Sequence, residues 1–225
     1  MRVLLSGYYG FGNQGDEALL AGMIRGLRDH GHEPAVLSAD PADTRCLHDV
    51  AAYARIRGLV PALVATDALV SGGGGLLQDV TSSRSLAYYL GVIRLARLFG
   101  KTTIVYGQSV GPLTARGRSW VRYALQGIPV AVRDRPSEQL LDELGFQTQR
   151  TADAALLAFE AQMAPDRSAA REEYAKRGPV VLVPRAGYSE HTAALAEVAR
   201  RLADEGIDVL TVALHPDHDM SAAEC

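Results

Sequence analysis

Two charged residues stand where a parallel sheet would gather its loops. Asp16 closes the glycine-rich stretch SGYYGFGNQGDEALL, residues 6–20, and Arg133 continues an apolar run in VRDRPS, residues 132–137. A carboxylate can orient or deprotonate a hydroxyl, and the planar fork of arginine suits a carboxylate or a phosphate. Two further loops lie between them, SGGGGLLQD at 71–79 and GQSVGP at 107–112. Consecutive Gly72, Gly73, Gly74 and Gly75 allow positive φ and close backbone approach, so N–H groups can turn toward an anion or a sugar hydroxyl. Gln78 and Gln108 add amides. Tyr8 offers a ring face for a sugar, and Asn13 adds a polar group beside it. Arg84 and Arg185 are weaker cationic candidates. Asp16 and Arg133 are the candidates for catalysis, and the others are candidates for substrate binding.

Plainer explanations exist for each. Asp16 could be a helix N-cap. Arg133 could pair with Asp134 or another surface carboxylate. The glycine tract could be a tight turn, and GQSVGP a strand-to-helix turn. The first loop has neither GxGxxG nor a Walker lysine, so nucleotide binding by that loop has weak support. A carboxylate where an anion would dock points to a polyol instead. HPDHD, with His215, His218 and Asp219, has metal-binding residue types, but it ends an interrupted pattern, and no metal is expected.

The elements that must position these residues alternate. Short apolar runs read as strands at residues 2–6, 33–38, 68–70, 101–106 and 129–132. Helical spacing predicts helices at 17–30, 85–99, 116–127 and 136–144, and one or two within 40–65. Such alternation implies parallel βαβ units with helices on both faces. The pattern breaks near 152–167. A charged helix at 168–177, a strand at 180–184, a helix at 190–206 and a strand at 208–214 then start a second unit. The expected class is α/β: a Rossmann-like parallel sheet domain followed by a second, incomplete one. Residues 1–160 form the N-terminal Rossmann-like domain. Residues 161–225 form a linker helix and the start of the C-terminal domain. Two strands bury too little core to stand alone, so a longer parent protein is expected.

Composition narrows the class. Apolar residues make up 48% and charged residues 22% of 225, with net charge −3. That balance gives no sign of general nucleic-acid binding. Two distant cysteines suggest a reducing compartment. No signal-peptide core and no bilayer-length apolar run is present. The expected place is the cytoplasm, with contact at the inner face of the plasma membrane peripheral at most. The apolar, arginine-bearing helix AYYLGVIRLARLFG reads as a core helix before a membrane-touching one.

LLSGYYGFGNQGDEALL, VSGGGGLLQDVTSSRSLAYYLGVI, YGQSVGPL and AVRDRPS resemble, in order, strings of the polysaccharide pyruvyl transferases of the CsaB type. The similarity runs through about residue 215. It implies a GT-B-like two-domain fold, similar to the GT-B glycosyltransferases, with residues 1–160 as the Rossmann-like acceptor-side domain and the second domain incomplete. It also implies transfer of pyruvate from phosphoenolpyruvate to N-acetylmannosamine in a lipid-linked cell-wall glycan precursor, as a cyclic ketal. Polymer modified in this way anchors surface-layer proteins. The implied partners are phosphoenolpyruvate and that precursor, with no cofactor beyond the donor. By the resemblance, Asp16 serves the acceptor and Arg133 the anionic donor, while residues 72–75 and Gln108 line the cleft. Family members are longer, and their C-terminal half carries an RLH-like motif that this chain lacks. Little activity is therefore expected of the chain alone. The competing expectations are a glycosyltransferase with a nucleotide-sugar donor and a non-catalytic glycan-binding remnant.

Overall fold

Val, Leu and Ala runs too short for helices become buried parallel strands, and each is followed by a helix that returns over the sheet. The computed structural model describes residues 1–80, 82–159, 178–184 and 189–214. The elements are β1 (Arg2–Ser6), α1 (Gln14–Asp29), β2 (Glu33–Ser38), α2 (Pro41–His48), β3 (Ala51–Ala54), α3 (Leu59–Ala65), β4 (Ala68–Gly72) and α4 (Ser83–Leu98). They continue with β5 (Thr102–Gln108), α5 (Ala115–Leu125), β6 (Val130–Val132), α6 (Arg135–Glu143), β7 (Thr148–Arg150) and α7 (Ala155–Phe159). After these come β8 (Val180–Leu182), α8 (Ser189–Asp204) and β9 (Val209–Thr211).

The chain divides into two compact units, Met1–Phe11 with Asp16–Phe159, and Gly12–Gly15 with Glu160–Cys225. The first unit holds a seven-stranded sheet in the order β3-β2-β1-β4-β5-β6-β7. Every pairing is parallel. The α/β, Rossmann-like class is therefore the one the alternation predicts. Leu63 on α3, Leu86 and Ile93 on α4, Val121 on α5 and Leu141 on α6 bury against one face of the sheet. Leu20, Met23 and Ile24 of α1 bury against the other. The second unit has parallel β8 and β9 with α8 between them. Gly206, at φ 76°, ends α8, and Ile207 donates its N–H to the Leu202 carbonyl at 2.9 Å.

The boundaries differ from the sequence reading in four informative places. β3 and β7 are edge strands of AAYA and TQR, with no large apolar run to announce them. β4 continues through Gly72 and β5 through Gln108, so both residues belong to strands and not to loops. α1 starts at Gln14, three residues before the expected helix. α7 forms where the pattern breaks. The helix expected at 168–177 lies outside the described residues.

Gly22 shows how closely α1 meets the segment before α7. A Cβ at Gly22 would sit 1.8 Å from the Ala154 carbonyl oxygen, whereas one at Gly91 on α4 would meet nothing within 4 Å. Alanine gains up to about 1 kcal/mol over glycine in a helix, but overpacking costs about 1–3 kcal/mol. Gly22→Ala should therefore lower the urea unfolding midpoint and Gly91→Ala should raise it. Equal shifts of the same sign would contradict the packing.

Candidate functional site

The sheet reverses its winding between β1 and β4. From β1 the chain moves toward β2, and from β4 toward β5, so the loops leaving these two neighbours diverge. A crevice beyond the carboxyl ends of the strands forms at such a point. The loop after β1 and the glycine tract after β4 border it.

The four glycines do different work. A Cβ at Gly72 would lie 2.6 Å from Met23 Sδ, and one at Gly73 would lie 3.1 Å from the Tyr9 hydroxyl. At Gly74 it would come within 2.9 Å of Asp16 Oδ1. Gly73 and Gly74 also have φ of 83° and 69°. Gly75 is exposed, with nothing within 4 Å of a Cβ. Glycine is thus required by close packing at 72 and 73, lets a carboxylate reach the backbone at 74, and leaves an open edge at 75.

Asp16 stands in the first turn of α1, against Gly74. Asn13 takes the cap position, accepting from the Gly15 N–H at 3.0 Å. Asp16 therefore lies inside the helix and not at its cap. Its neighbour Glu17 is structural: it accepts from the Gly10 N–H at 2.8 Å and meets His48 Nε2 at 2.8 Å, tying the first loop to α2. Tyr9 is fully buried and donates to the Gly72 carbonyl at 2.6 Å. Burial first, and the Asp16 carboxylate second, hold its phenol well above the usual range. Tyr89 is also raised, by burial above all, although the Arg55 guanidinium pulls the other way.

Arg55 escaped the sequence reading. It follows β3 at the rim, with its guanidinium 4.3 Å from the Tyr88 ring centre, 4.9 Å from that of Phe11 and 5.7 Å from that of Tyr89. Tyr8 stacks on Phe11 at 4.0 Å, so Arg55 supports the aromatic shelf that carries Tyr8. Reading AAYA as an edge strand would have placed Arg55 here.

The second half of the rim centres on Ser109. An extra residue in β5, Gly107 at φ 64°, shifts the register against β6. Beyond it the Ser109 N–H donates to the Gly74 carbonyl at 2.9 Å. Its hydroxyl donates to Asp134 Oδ2 at 2.5 Å and accepts from Arg133 Nε at 2.9 Å. Arg133 Nη1 pairs with Asp153 at 2.8 Å. Its other terminal nitrogen has no partner among the described residues. Arg133 is therefore in an ion pair, though with Asp153 and not with Asp134. Asp134 caps α6 through the Ser137 N–H at 2.9 Å. Burial alone would raise its carboxyl, but hydrogen bonds from Ser109 and Ser137, with the Arg133 charge, bring it below the usual value.

The remaining assigned residues scatter. Gln78 accepts from the Val80 N–H at 3.0 Å, stiffening its own turn. Beside it, Asp79 anchors the N–H and hydroxyl of Thr114, and that hydroxyl's hydrogen bond lowers its carboxyl. Gln108 is fully buried and donates to Ser71 Oγ at 3.0 Å, because β5 runs on to include it. It has no exposed surface with which to line a cleft, although its Oε1 has no partner among the described residues. Arg84 is exposed in the first turn of α4. Arg185, His215, His218 and Asp219 lie outside the described residues.

Asp16, Gly74, Ser109 and Arg133 thus form a continuous line of contacts along the rim. It carries a carboxylate at one end and a cation at the other, with open glycine backbone at Gly75. Such a rim can accept a proton from a hydroxyl at one point and hold an anion at another.

The sequence model of one family, described as polysaccharide pyruvyl transferase, matches residues 13–222. No curated protein sequence matches the chain. Among solved structures, a glycosyltransferase from Rickettsia africae ESF-5 aligns over 94% of this chain and 68% of its own, at 10% identity and a TM-score of 0.55. A 2,6-sialyltransferase of Vibrionaceae Photobacterium sp. JT-ISH-224 aligns over 87% of this chain and 53% of its own, at 8% identity and a TM-score of 0.44. The first of these likenesses is one of fold.

Asp134 gives a test of the rim by pH. A carboxyl whose folded value is lowered adds stability that is present above its ordinary value of 3.8 and lost as pH falls through the folded value. Asp134→Ala should cost about 1–2 kcal/mol at pH 7, as a lost helix cap does. In urea unfolding the gap from the parent chain should narrow once the pH drops below that value. An equal gap at pH 7 and in acid would contradict the hydrogen-bonding scheme.

Proposed function

We propose, from the premise that this chain belongs to the polysaccharide pyruvyl transferase family, that it acts as the CsaB type does. In this reading the enolpyruvyl group of phosphoenolpyruvate passes to an N-acetylmannosamine unit of a lipid-linked cell-wall glycan precursor. The place of action would be the cytoplasm. What carries the reading is the family match, which takes in Asp16, the glycine tract and Arg133 together.

The chemistry asks for a base near a hydroxyl, an acid for the methylene carbon, and cations for carboxylate and phosphate. One acceptor hydroxyl attacks the central carbon of the donor as the methylene carbon takes up a proton. The second hydroxyl closes the ring, and phosphate leaves with the other proton. Asp16 is the acceptor-side base of this scheme. The phenols of Tyr9 and Tyr89 are held protonated, which leaves the carboxylate as the proton acceptor of that corner. The Tyr8–Phe11 stack gives the sugar ring an apolar shelf. Arg133, fixed by Ser109 and Asp153, keeps one terminal nitrogen for the donor's anionic groups.

Phosphate release and ketal formation from phosphoenolpyruvate and an N-acetylmannosamine-containing acceptor should appear with the full-length protein. Asp16→Asn should lower the rate by about 10²- to 10⁴-fold. Arg133→Lys should raise KM for phosphoenolpyruvate more than KM for the acceptor. Well-folded protein that ignores phosphoenolpyruvate but turns over a nucleotide sugar would overturn the proposal.

A further inference from the structure

Acidic residues are absent from one long stretch of a chain that is acidic overall. Between Asp79 and Asp134 there are eight lysines and arginines and no aspartate or glutamate, although the net charge of the whole chain is −3. The stretch comprises α4 and α5 and the strands and loops beside them. Both helices bury their apolar positions against the same face of the sheet, so their outer surfaces lie side by side. Arg94 Nη2 reaches the Tyr123 hydroxyl at 3.1 Å across the two helices, and Arg97 reaches the Gln126 carbonyl at the end of α5.

The outer surface mixes cations with exposed apolar groups. Leu98 is 78% exposed, Tyr123 64% and Phe99 39%. Arg94 lies 4.4 Å from the Tyr123 ring centre, and Arg116 lies 4.5 Å from that of Trp120. Arg97, Arg116 and Arg122 are exposed. An arginine whose guanidinium lies on the face of an aromatic ring suits the headgroup layer of a membrane. Leu98 and Phe99 suit the acyl boundary beneath it. Among the described residues no helix is long and apolar enough to cross a bilayer.

We propose that the outer faces of α4 and α5 form a docking surface for an anionic lipid bilayer. Charge complementarity selects an anionic partner. The exposed Leu98 and Phe99 side chains favour lipid over nucleic acid, because such groups gain from an acyl boundary and not from a phosphate backbone. α4 and α5 run from the rim side of the sheet, where Arg116 lies in the first turn of α5, to the far end, where Leu98 and Phe99 close α4, so the surface extends from the rim of the candidate site along both helices. A lipid-borne acceptor would then reach that rim from the membrane. That consequence rests on the proposed function; the docking surface does not, since nothing in it depends on the group transferred.

Co-sedimentation of the 225-residue chain with vesicles tests this directly. The chain should pellet with phosphatidylcholine vesicles containing phosphatidylglycerol and stay in solution with phosphatidylcholine alone. Molar salt should release it. The double variant Arg116→Glu, Arg122→Glu should lower the partition coefficient about tenfold or more, with an unchanged thermal midpoint. Leu98→Ser with Phe99→Ser should weaken binding while keeping its salt dependence. Failure to bind anionic vesicles, binding indifferent to the charge reversals, or tighter retention of a single-stranded RNA at the same salt would overturn the proposal. None of these readings uses phosphoenolpyruvate, so loss of the transfer reaction would leave the result standing.

Discussion

Ser109 fastens the rim of the first unit. Its N–H is spent on the Gly74 carbonyl, and its hydroxyl links Arg133 to Asp134. Parallel strands are bonded to each other only along their lengths, and the loops beyond them have no such tie unless a side chain or a stray backbone bond supplies it. Here the tie continues past Ser109, where Leu77 and Val110 form an isolated parallel bridge and the Gly111 N–H reaches the Leu77 carbonyl at 2.8 Å. The loops after β4 and β5 therefore behave as one extension of the sheet. Residues that depend on them, Asp16 through Gly74 and Arg133 through Ser109, inherit a fixed separation. A bulge at Gly107 makes this possible by turning the chain after β5 toward the glycine tract.

The other side of the rim is held by aromatic and charged packing. Glu17 and His48 clamp the first loop to α2, and Arg55 lies under Phe11 and beside Tyr88. Tyr9 is buried where glycine at 7 and 73 leaves room for its ring and hydroxyl, and that hydroxyl donates to the Gly72 carbonyl. The close packing of Tyr9 and the position of Asp16 are thus one arrangement. A tract of four glycines in a row looks like freedom in the sequence, but most of it is consumed by packing against Met23, Tyr9 and Asp16.

How much of this was legible follows from which forces leave a local pattern. Apolar periodicity marked β1, β2, β4, β5 and β6 and the long helices, because burial acts on runs of residues. The edge strands β3 and β7 left no such mark, since small or polar residues serve at an edge. Missing β3 hid Arg55, whose role comes only from its place at the rim. Arg133 was legible as a residue continuing a strand, but its partner Asp153 was not, because that pairing joins segments 20 residues apart in a region with no periodicity. Gln108 was misplaced for a related reason: a glycine bulge carried the strand two residues past its apolar core and drew the amide inside. The charge segregation between Asp79 and Asp134 was in the sequence throughout. Its meaning needed the helix faces, since a net charge of −3 conceals it.

In the proposed function, a glycan meets this chain along the rim running from Asp16 to Arg133. Amide NMR during titration with an N-acetylmannosamine-containing oligosaccharide tests it most directly. The N–H signals of Gly74, Gly75 and Ser109 should shift together, and Asp16→Asn should weaken binding without altering the fold. Shifts confined to the opposite ends of the strands, with these three signals unmoved, would contradict it.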